Sequence, residues 1–308
     1  MIVLNLLIAA VLAGTPLLLG AMGEILTERS GCINLGVEGE MFMGAVAGVA
    51  ASFFYSYWGG TSGIVSVILT ALFAFLAGAL GGLIYSFLVI TMRANQNVTG
   101  LILTIFGTGF GNFFGSFFPK ATGQPLVAES FEKNMYLNNI GPFNWMVYMA
   151  VIIAVIMYIF LFRTRKGLAL RSVGENPAAA DTVGINVTKY RYLATVIGGG
   201  ICGLGGMYIA MVQQNGNWVD DCVSGYGWLA VALVIFAAWK SQRALWVALL
   251  FGGLKIARFY VSLPIADQLY DMLPYIVTII ILIITSIRGS KENSQPKSCG
   301  YNYFREER

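Results

Sequence analysis

A hydrophilic segment lies between two long apolar runs and reads Gly167-Leu-Ala-Leu-Arg-Ser-Val-Gly-Glu-Asn-Pro-Ala-Ala-Ala-Asp-Thr-Val-Gly-Ile-Asn186. Basic residues flank it on both sides, and these are Arg163, Arg165, Lys166, Lys189 and Arg191. Because loops that carry clustered Lys and Arg stay on the cytoplasmic side of a membrane, residues 163–191 are predicted to form a cytoplasmic loop. The segment therefore fixes how the apolar runs around it are oriented.

Within this loop the sequence predicts one short surface helix. Asn176 is a favoured N-cap residue, Pro177 suits the first helical position, and the alanines at 178–180 are strong helix formers. Gly184 predicts the end of the helix, because glycine commonly adopts the left-handed conformation that follows a helix C-terminus.

The composition places most of the chain in lipid. The chain has 308 residues, of which 57% are hydrophobic and 11% are charged, and its mean hydropathy is +0.72. Soluble domains carry roughly a quarter charged residues. The net charge of +4 comes from residues between the apolar runs, so it indicates membrane topology and not a nucleic-acid partner.

The residue inventory argues against an enzyme. The chain contains no His, which removes imidazole metal ligands, Ser-His-Asp catalysis and His proton relays. Its four Cys are far apart in sequence, so they predict neither a disulfide framework nor a zinc site and are interpreted as small apolar fillers. A P-loop motif is also absent. We therefore predict no catalytic residue, no metal and no cofactor.

The apolar runs predict an all-α transmembrane bundle. With about 20 apolar residues for each crossing, we expect roughly nine spanning helices, near 2–23, 38–57, 64–91, 98–118, 144–162, 190–213, 226–239, 244–262 and 272–287. The first cation is Arg29, so the N-terminus predicts a spanning helix and not a cleavable signal peptide. The distribution of Lys and Arg places the N-terminus outside and the C-terminus inside. Residues 1–288 form the membrane domain, and residues 289–308 are expected to be a disordered cytoplasmic tail.

Glycines recur four residues apart inside the predicted helices, at 44 and 48, at 78 and 82, at 107, 111 and 115, and at 199 and 203. Small residues at this spacing let helix backbones approach closely in lipid, which predicts a tightly packed bundle. Residues 198–203 also match G-x-G-x-x-G. A dinucleotide site is rejected, because the match lies inside an apolar helix with no preceding strand.

A second polar stretch runs from Gly23 to Glu40 and combines glycines with acidic and amide side chains. Irregular backbone at membrane depth is tolerated only where protein or a water-filled cavity satisfies it. We interpret residues 24–39 as a broken or re-entrant element lining a pathway, with Asn34 and Glu38 as substrate-pathway candidates. The alternative is a plain turn between two helices. Arg29 is expected to pair with Glu24 or Glu28.

A third polar patch, Arg93-Ala-Asn-Gln-Asn-Val-Thr99, opens the fourth predicted helix. Gln96, Asn97 and Thr99 offer amides and a hydroxyl that recognise a neutral polar solute without a charge penalty. They complete the set of substrate-pathway candidates. Helix capping or hydrogen bonding between helices is an equally good interpretation.

Three stretches together resemble a known family. They are Glu28-Arg-Ser-Gly-Cys-Ile-Asn-Leu-Gly-Val-Glu-Gly39, Arg93-Ala-Asn-Gln-Asn-Val-Thr-Gly100 and Arg171-Ser-Val-Gly-Glu-Asn-Pro-Ala-Ala-Ala-Asp-Thr-Val-Gly-Ile-Asn186. In this order they resemble the permease subunits of bacterial ABC importers for nucleosides, which belong with the ribose and branched-chain amino acid permeases. Sugar permeases of this group typically read Gly-Ile-Asp-Leu-Ser-Val-Gly where this chain has residues 32–38. The difference favours the nucleoside branch.

The resemblance implies a permease without catalysis of its own, in the bacterial cell membrane and surrounded by lipid. It also implies three protein partners: a cytoplasmic ATPase, a second homologous permease subunit and an external substrate-binding lipoprotein. The middle of the cytoplasmic loop resembles the coupling helix that docks in a cleft of the ATPase. The coupling candidates carried over are Arg171, Gly174, Glu175, Asn176, Pro177, Ala179, Asp181 and Gly184.

Several alternatives stay open at the level of sequence. Within the family, a simple sugar, a flavin-like compound or a branched-chain amino acid could replace the nucleoside, because neutral polar contacts suit several of these. A secondary transporter would need acidic residues in the membrane that bind protons or sodium. A membrane-embedded enzyme would need a convergent polar site, which the residues do not predict.

Overall fold

A computed structural model describes residues 2–128, 141–260, 267–288 and 295–305. The residues described form almost entirely helices and connecting turns, and an isolated antiparallel bridge pairs Val127 with Asn217. The all-α prediction is therefore confirmed. Part of the connection between the predicted helices 98–118 and 144–162, and part of the tail, fall outside the described residues.

Eleven helices are described, and we number them in chain order. They are α1 Ile2–Arg29, α2 Val37–Tyr57, α3 Gly63–Ser86, α4 Gln96–Thr122, α5 Trp145–Arg163, α6 Arg165–Glu175, α7 Pro177–Thr182, α8 Val187–Tyr208, α9 Tyr226–Phe236, α10 Ser241–Tyr260 and α11 Asp267–Arg288. Short π-helical segments, Phe87–Thr91 and Ile209–Gln213, extend α3 and α8.

A helix forms at every position where the sequence predicts a crossing, but the helices are not equally suited to lipid. Six of the described helices, α1 to α5 and α8, are long and apolar enough to cross a membrane. The helix α9, Tyr226–Phe236, is apolar but shorter. The count of nine crossings and the orientation of the termini stay predictions.

The helices α2 and α8 form the centre of the bundle. The helices differ in how much of their most apolar stretch is buried. In α2 and in α8, 83% of the residues in this stretch are buried, whereas in α3 and in α4 only 28% are buried. The helix α8 packs against α1, α2 and α3. Peripheral helices thus present apolar side chains outward, where lipid or another membrane subunit solvates them.

Close packing at this centre depends on glycine. A Cβ atom on Gly44 would overlap the backbone of Gly203, and one on Gly203 would overlap the carbonyl of Ala74. Gly78 lies at the same crossing of α3 and α8, because a Cβ atom added to it would lie 2.8 Å from Cα of Gly203. The prediction of a bundle packed through small residues is confirmed, and residues 198–203 serve this packing inside α8.

The expected broken element near residues 24–39 takes a simpler form. The helix α1 continues to Arg29, and α2 begins at Val37, so residues 30–36 are a turn and no separate re-entrant helix forms. We call residues 30–36 the polar turn. Most of its residues are buried, so protein surrounds this irregular backbone.

The tail also differs from the expectation. Residues 295–305 are not an unstructured extension, because Ser298 and Cys299 are buried and the segment makes hydrogen bonds to three other parts of the chain. The hydrophilic composition that predicted disorder instead supplies the donors and acceptors for these contacts. Residues 289–294 and 306–308 lie outside the described part of the chain.

The glycine packing predicts a large difference between two valine substitutions. Gly203→Val would force the crossing of α3 and α8 apart, and overpacking of this kind costs roughly 1–3 kcal/mol. Gly109→Val in α4 is the matched control, since an added Cβ there meets nothing within 4 Å. Thermal unfolding of the purified protein in detergent should show a lower midpoint for Gly203→Val alone. Equal shifts in both variants would contradict the packing role.

Candidate functional site

The polar turn is held by side chains from three helices. Its Ile33 amide donates to Oε1 of Gln96 in α4 at 2.7 Å, and its Asn34 amide donates to Oε1 of Glu24 in α1 at 3.1 Å. On the acceptor side, the Ile33 carbonyl receives the hydroxyl of Tyr85 in α3. The Leu35 carbonyl receives Thr104 Oγ1 of α4 at 2.8 Å. Such partners are required, because a buried backbone group without a hydrogen bond is costly.

Asn34, a predicted pathway residue, lies at the centre of this arrangement and is fully buried. Its Nδ2 donates to Oε1 of Glu40 at 2.7 Å, and its Oδ1 accepts the amide of Gly36 at 2.9 Å. In this conformation the side chain of Asn34 therefore shapes the turn and links it to the first turn of α2.

Gln96 and Thr99 are the other predicted pathway residues buried near the start of α4, at 1% and 6% exposure. Oε1 of Gln96 accepts the amides of Ile33 and Gly300, while Nε2 donates to the carbonyl of Tyr301 at 3.2 Å. In this conformation the side chain of Gln96 therefore links α4 to the polar turn and to residues 300 and 301.

The two remaining pathway candidates lie elsewhere. Glu38 is on the side of α2 that faces the start of α9, where its Oε2 accepts the amide of Gly225 at 3.0 Å. Asn97 is exposed on α4. The structure therefore brings Asn34 and Gln96 together at the polar turn, but it does not bring Glu38 or Asn97 to them.

The expected ion pair of Arg29 with Glu24 or Glu28 is not formed among the described residues. Arg29 instead donates from Nε and Nη2 to the carbonyl of Trp239, at 3.1 and 3.0 Å. The indole of Trp239 in turn donates to Oε2 of Glu28. Trp239 has a positive φ of 55°, which turns the backbone after α9 so that its carbonyl reaches Arg29. Trp239 thus provides a hydrogen-bond acceptor for the guanidinium of Arg29 and a separate donor for the carboxylate of Glu28.

The loop 163–191, which we call the coupling segment, contains two helices where the sequence predicted one. The helix α7 begins as predicted, because the side chain of Asn176 accepts the amide of Ala179 at 3.0 Å and Pro177 follows it. Gly184 has a φ of 85° and ends this helical turn. The helix α6 was missed, although Thr164 caps it by accepting the amide of Gly167 at 3.0 Å.

The coupling candidates divide between two faces of this segment. Glu175, Asn176, Ala179 and Gly184 are exposed, and Pro177 is partly exposed. Gly174 is buried, and an added Cβ there would overlap the carbonyl of Arg29. Arg171 stacks its guanidinium 5.0 Å from the ring centre of Phe162, so it faces the membrane domain. Asp181 accepts the hydroxyl of Tyr303 at 2.8 Å.

Two exposed apolar residues on the coupling segment were not among the sequence-predicted candidates. Val183, which follows α7, is 75% exposed, and Leu168 in α6 is 60% exposed. A signal was present for Val183, since it lies between Thr182 and Gly184 in a hydrophilic loop, next to the predicted end of the helix.

The cysteines behave as the sequence predicted. All four are free, and Cys32, Cys202 and Cys299 are buried while Cys222 is partly exposed. Burial raises the pKa of the Cys32 and Cys299 thiols and raises the pKa of Cys222 to about 12. A protonated thiol is a poor nucleophile and metal ligand, so these residues act as small packing groups.

Comparison with protein families identifies the class of this fold. Residues 6–282 match the family described as branched-chain amino acid transport system, permease component. The chain belongs to this permease family. It is therefore a multi-pass membrane component of an ABC transporter and not an enzyme. Members of this class work with an ATPase and a substrate-binding protein.

Three relatives match the chain over nearly its full length. A putative glucose ABC transporter permease of Haloferax volcanii is 35% identical over 98% of this chain and 98% of that protein. A guanosine ABC transporter permease of Bacillus subtilis is 33% identical over 99% and 98%. A nucleoside ABC transporter permease of Lactococcus lactis is 32% identical over 99% and 96%.

The polar turn predicts different outcomes for two neighbouring amides of α4. Gln96→Leu leaves the partly buried Ile33 amide without its acceptor, which costs roughly 1–3 kcal/mol of unfolding free energy. Asn97→Leu changes an exposed side chain of the same type and should cost less than about 0.5 kcal/mol. Chemical or thermal unfolding of both purified variants measures this difference. If Gln96→Leu is as stable as Asn97→Leu, Gln96 does not support the turn.

Proposed function

We propose that this permease is a membrane subunit of an ATP-driven importer of nucleosides. Its coupling segment docks on a cytoplasmic ABC ATPase, a second homologous permease completes the translocation pathway, and an external lipoprotein delivers the substrate. Closure of the ATPase moves the coupling segment, and the rigid helices then expose the pathway to one side of the membrane and to the other in turn.

The nucleoside assignment is supported by two kinds of observation. Two relatives at 33% and 32% identity carry guanosine and nucleoside in their names. At residues 32–38 the chain reads Cys-Ile-Asn-Leu-Gly-Val-Glu, which departs from the form typical of sugar permeases. Glucose is the second candidate, because the Haloferax volcanii relative at 35% identity is named for glucose.

The coupling role is supported by how the coupling segment is built. Its buried side is anchored by Gly174 against the carbonyl of Arg29, and by a small apolar cluster of Val173, Ala180 and Val187. Ala179, Val183 and Glu175 are all exposed on this segment. A small residue lets a helix sit deep in a groove, an exposed valine adds apolar contact, and a charge at the edge fixes register.

The buried side of the coupling segment explains how movement of the ATPase could be transmitted to the membrane domain. The helix α6 packs on α5, α8 and α1, so displacement of α6 displaces the inner ends of these helices. The contact of Gly174 with the end of α1 is backbone to backbone, which leaves no flexible side chain to absorb the movement. This rigid contact is the observation on which the coupling proposal depends.

The experiment uses the permease assembled with its ATPase, its second permease subunit and its receptor in proteoliposomes. Ala179→Trp inserts a bulky ring into the docking face. Uptake of labelled nucleoside and receptor-stimulated ATP hydrolysis should both fall by more than about tenfold, which corresponds to a docking penalty above about 1.4 kcal/mol. Both rates are measured on the same preparation.

Ala179→Ser is the matched control, because it keeps a small side chain at the same exposed position and should leave both rates near those of the wild type. Survival of both rates in Ala179→Trp would contradict the coupling role. The substrate is tested separately with wild-type protein. Excess unlabelled guanosine should suppress uptake of the labelled nucleoside and excess glucose should not, and the reverse pattern would favour the glucose assignment.

A further inference from the structure

We infer that residues 296–305 act as a clasp that ties the coupling segment to the polar turn and to the start of α4. This inference rests on the proposed coupling role of residues 163–191 and adds a positioning element to it. The clasp would carry movement of α6 and α7 to the part of the membrane domain that these helices do not pack against.

The first half of the clasp binds the end of α6. The amide of Ser298 donates to the carbonyl of Gly174 at 3.0 Å, and its Oγ donates to the same carbonyl at 2.6 Å. Nη2 of Arg191 in α8 donates to Oγ of Ser298 at 3.3 Å. Ser298 is 8% exposed, so these bonds are shielded from competing water.

The second half of the clasp binds α7. The hydroxyl of Tyr303 donates to Oδ2 of Asp181 at 2.8 Å, and its ring packs on the cluster of Val173, Ala180 and Val187. Nε of Arg305 lies 3.2 Å from the same carboxylate oxygen. The side chain of Arg305 is 75% exposed, so this ion pair contributes little and Tyr303 is the principal contact.

Between these anchors the clasp binds the start of α4. The amide of Gly300 donates to Oε1 of Gln96 at 3.2 Å, and the carbonyl of Tyr301 accepts Nε2 of Gln96 at 3.2 Å. Nδ2 of Asn302 donates to the carbonyls of Arg93 and Ala94, at 2.7 and 3.2 Å. Since Gln96 also holds the amide of Ile33, the clasp and the polar turn share one amide side chain.

The meeting point of the three segments leaves no room for a larger residue. Gly31 of the polar turn has a φ of 91°, and an added Cβ there would overlap Oγ of Ser298 and lie 3.3 Å from Cα of Gly174. The backbone of the turn, the end of α6 and the clasp are therefore in direct contact. A displacement of any one of them must displace the other two.

The clasp adds hydrogen bonds to a junction where Gly31 of the polar turn already lies against Gly174 of α6. The helices α6 and α7 pack on α1, α5 and α8, whereas α4 packs mainly on α2 and α3. Hydrogen bonds from one continuous segment to Gly174, Asp181, Gln96 and Arg93 join these two groups. Networks of hydrogen bonds and packed groups that have two arrangements are one route by which energetic coupling travels between sites.

The test uses the assembled complex in proteoliposomes and measures the number of nucleoside molecules imported for each ATP hydrolysed. The double variant Asn302→Ala with Tyr303→Phe removes the side-chain bonds from the clasp to residues 93 and 94, just before α4, and from Tyr303 to Asp181 in α7. The backbone bonds of Gly300 and Tyr301 to Gln96 stay. The ratio should fall by at least about fivefold, the lower end of typical coupling between sites, because ATP hydrolysis continues while movement of α4 lags. Deletion of residues 296–308 should give the same result.

Tyr301→Phe is the matched control, since its side chain is 72% exposed and the same hydroxyl is lost; its ratio should equal that of the wild type. An unchanged ratio in the double variant, whether both rates persist or fall together, would overturn the clasp. Failure of the proposed coupling function gives a different result, because nucleoside uptake and ATP hydrolysis would then both stay at the wild-type rate in Ala179→Trp. A purely structural role of the clasp would lower both rates in proportion and so leave the ratio unchanged.

Discussion

Backbone groups that leave a helix inside a membrane protein must find partners from the protein, because lipid offers none. In this permease the constraint falls on the polar turn, where α1 stops at Arg29 and α2 starts at Val37. Glu24, Tyr85, Gln96 and Thr104 supply the missing donors and acceptors. Their helices must therefore stand in fixed positions around the turn, so the turn organises this end of the bundle.

The need of the polar turn for hydrogen-bond partners also connects it to the segments around it. Polar side chains that fix the turn also connect it to neighbouring segments, as Gln96 does by binding both Ile33 and Gly300. The coupling segment reaches this region through rigid contacts, since Gly174 lies against the carbonyl of Arg29. Along the helices, glycine crossings such as that of Gly203 with Ala74 allow close backbone packing, and buried polar pairs such as Ser52 with Ser66 join α2 to α3. The bundle is therefore held by polar contacts and by close backbone packing together.

Local sequence signals predicted much of this fold. The apolar runs predicted the helices, the glycine spacing predicted the crossings, and Asn176 with Pro177 predicted α7. Contacts between distant residues were not predictable. Arg29 lies one residue from Glu28 in sequence, yet it binds the carbonyl of Trp239, because a positive φ places that carbonyl within reach. The tail has a disordered composition, yet Ser298 and Tyr303 find partners in α6 and α7 that periodicity cannot reveal. The substrate-pathway residues stay predictions.

Amide hydrogen exchange of the purified permease tests the central claim most directly. The amides of Ile33, Asn34 and Gly36 are bonded to buried side chains, whereas the turn at residues 59–62 is largely exposed. The account predicts that peptides covering residues 30–36 exchange about 100-fold more slowly than peptides covering residues 59–62. Exchange at the same fast rate in both turns would show that the polar turn is not held by the surrounding helices, and would contradict the account.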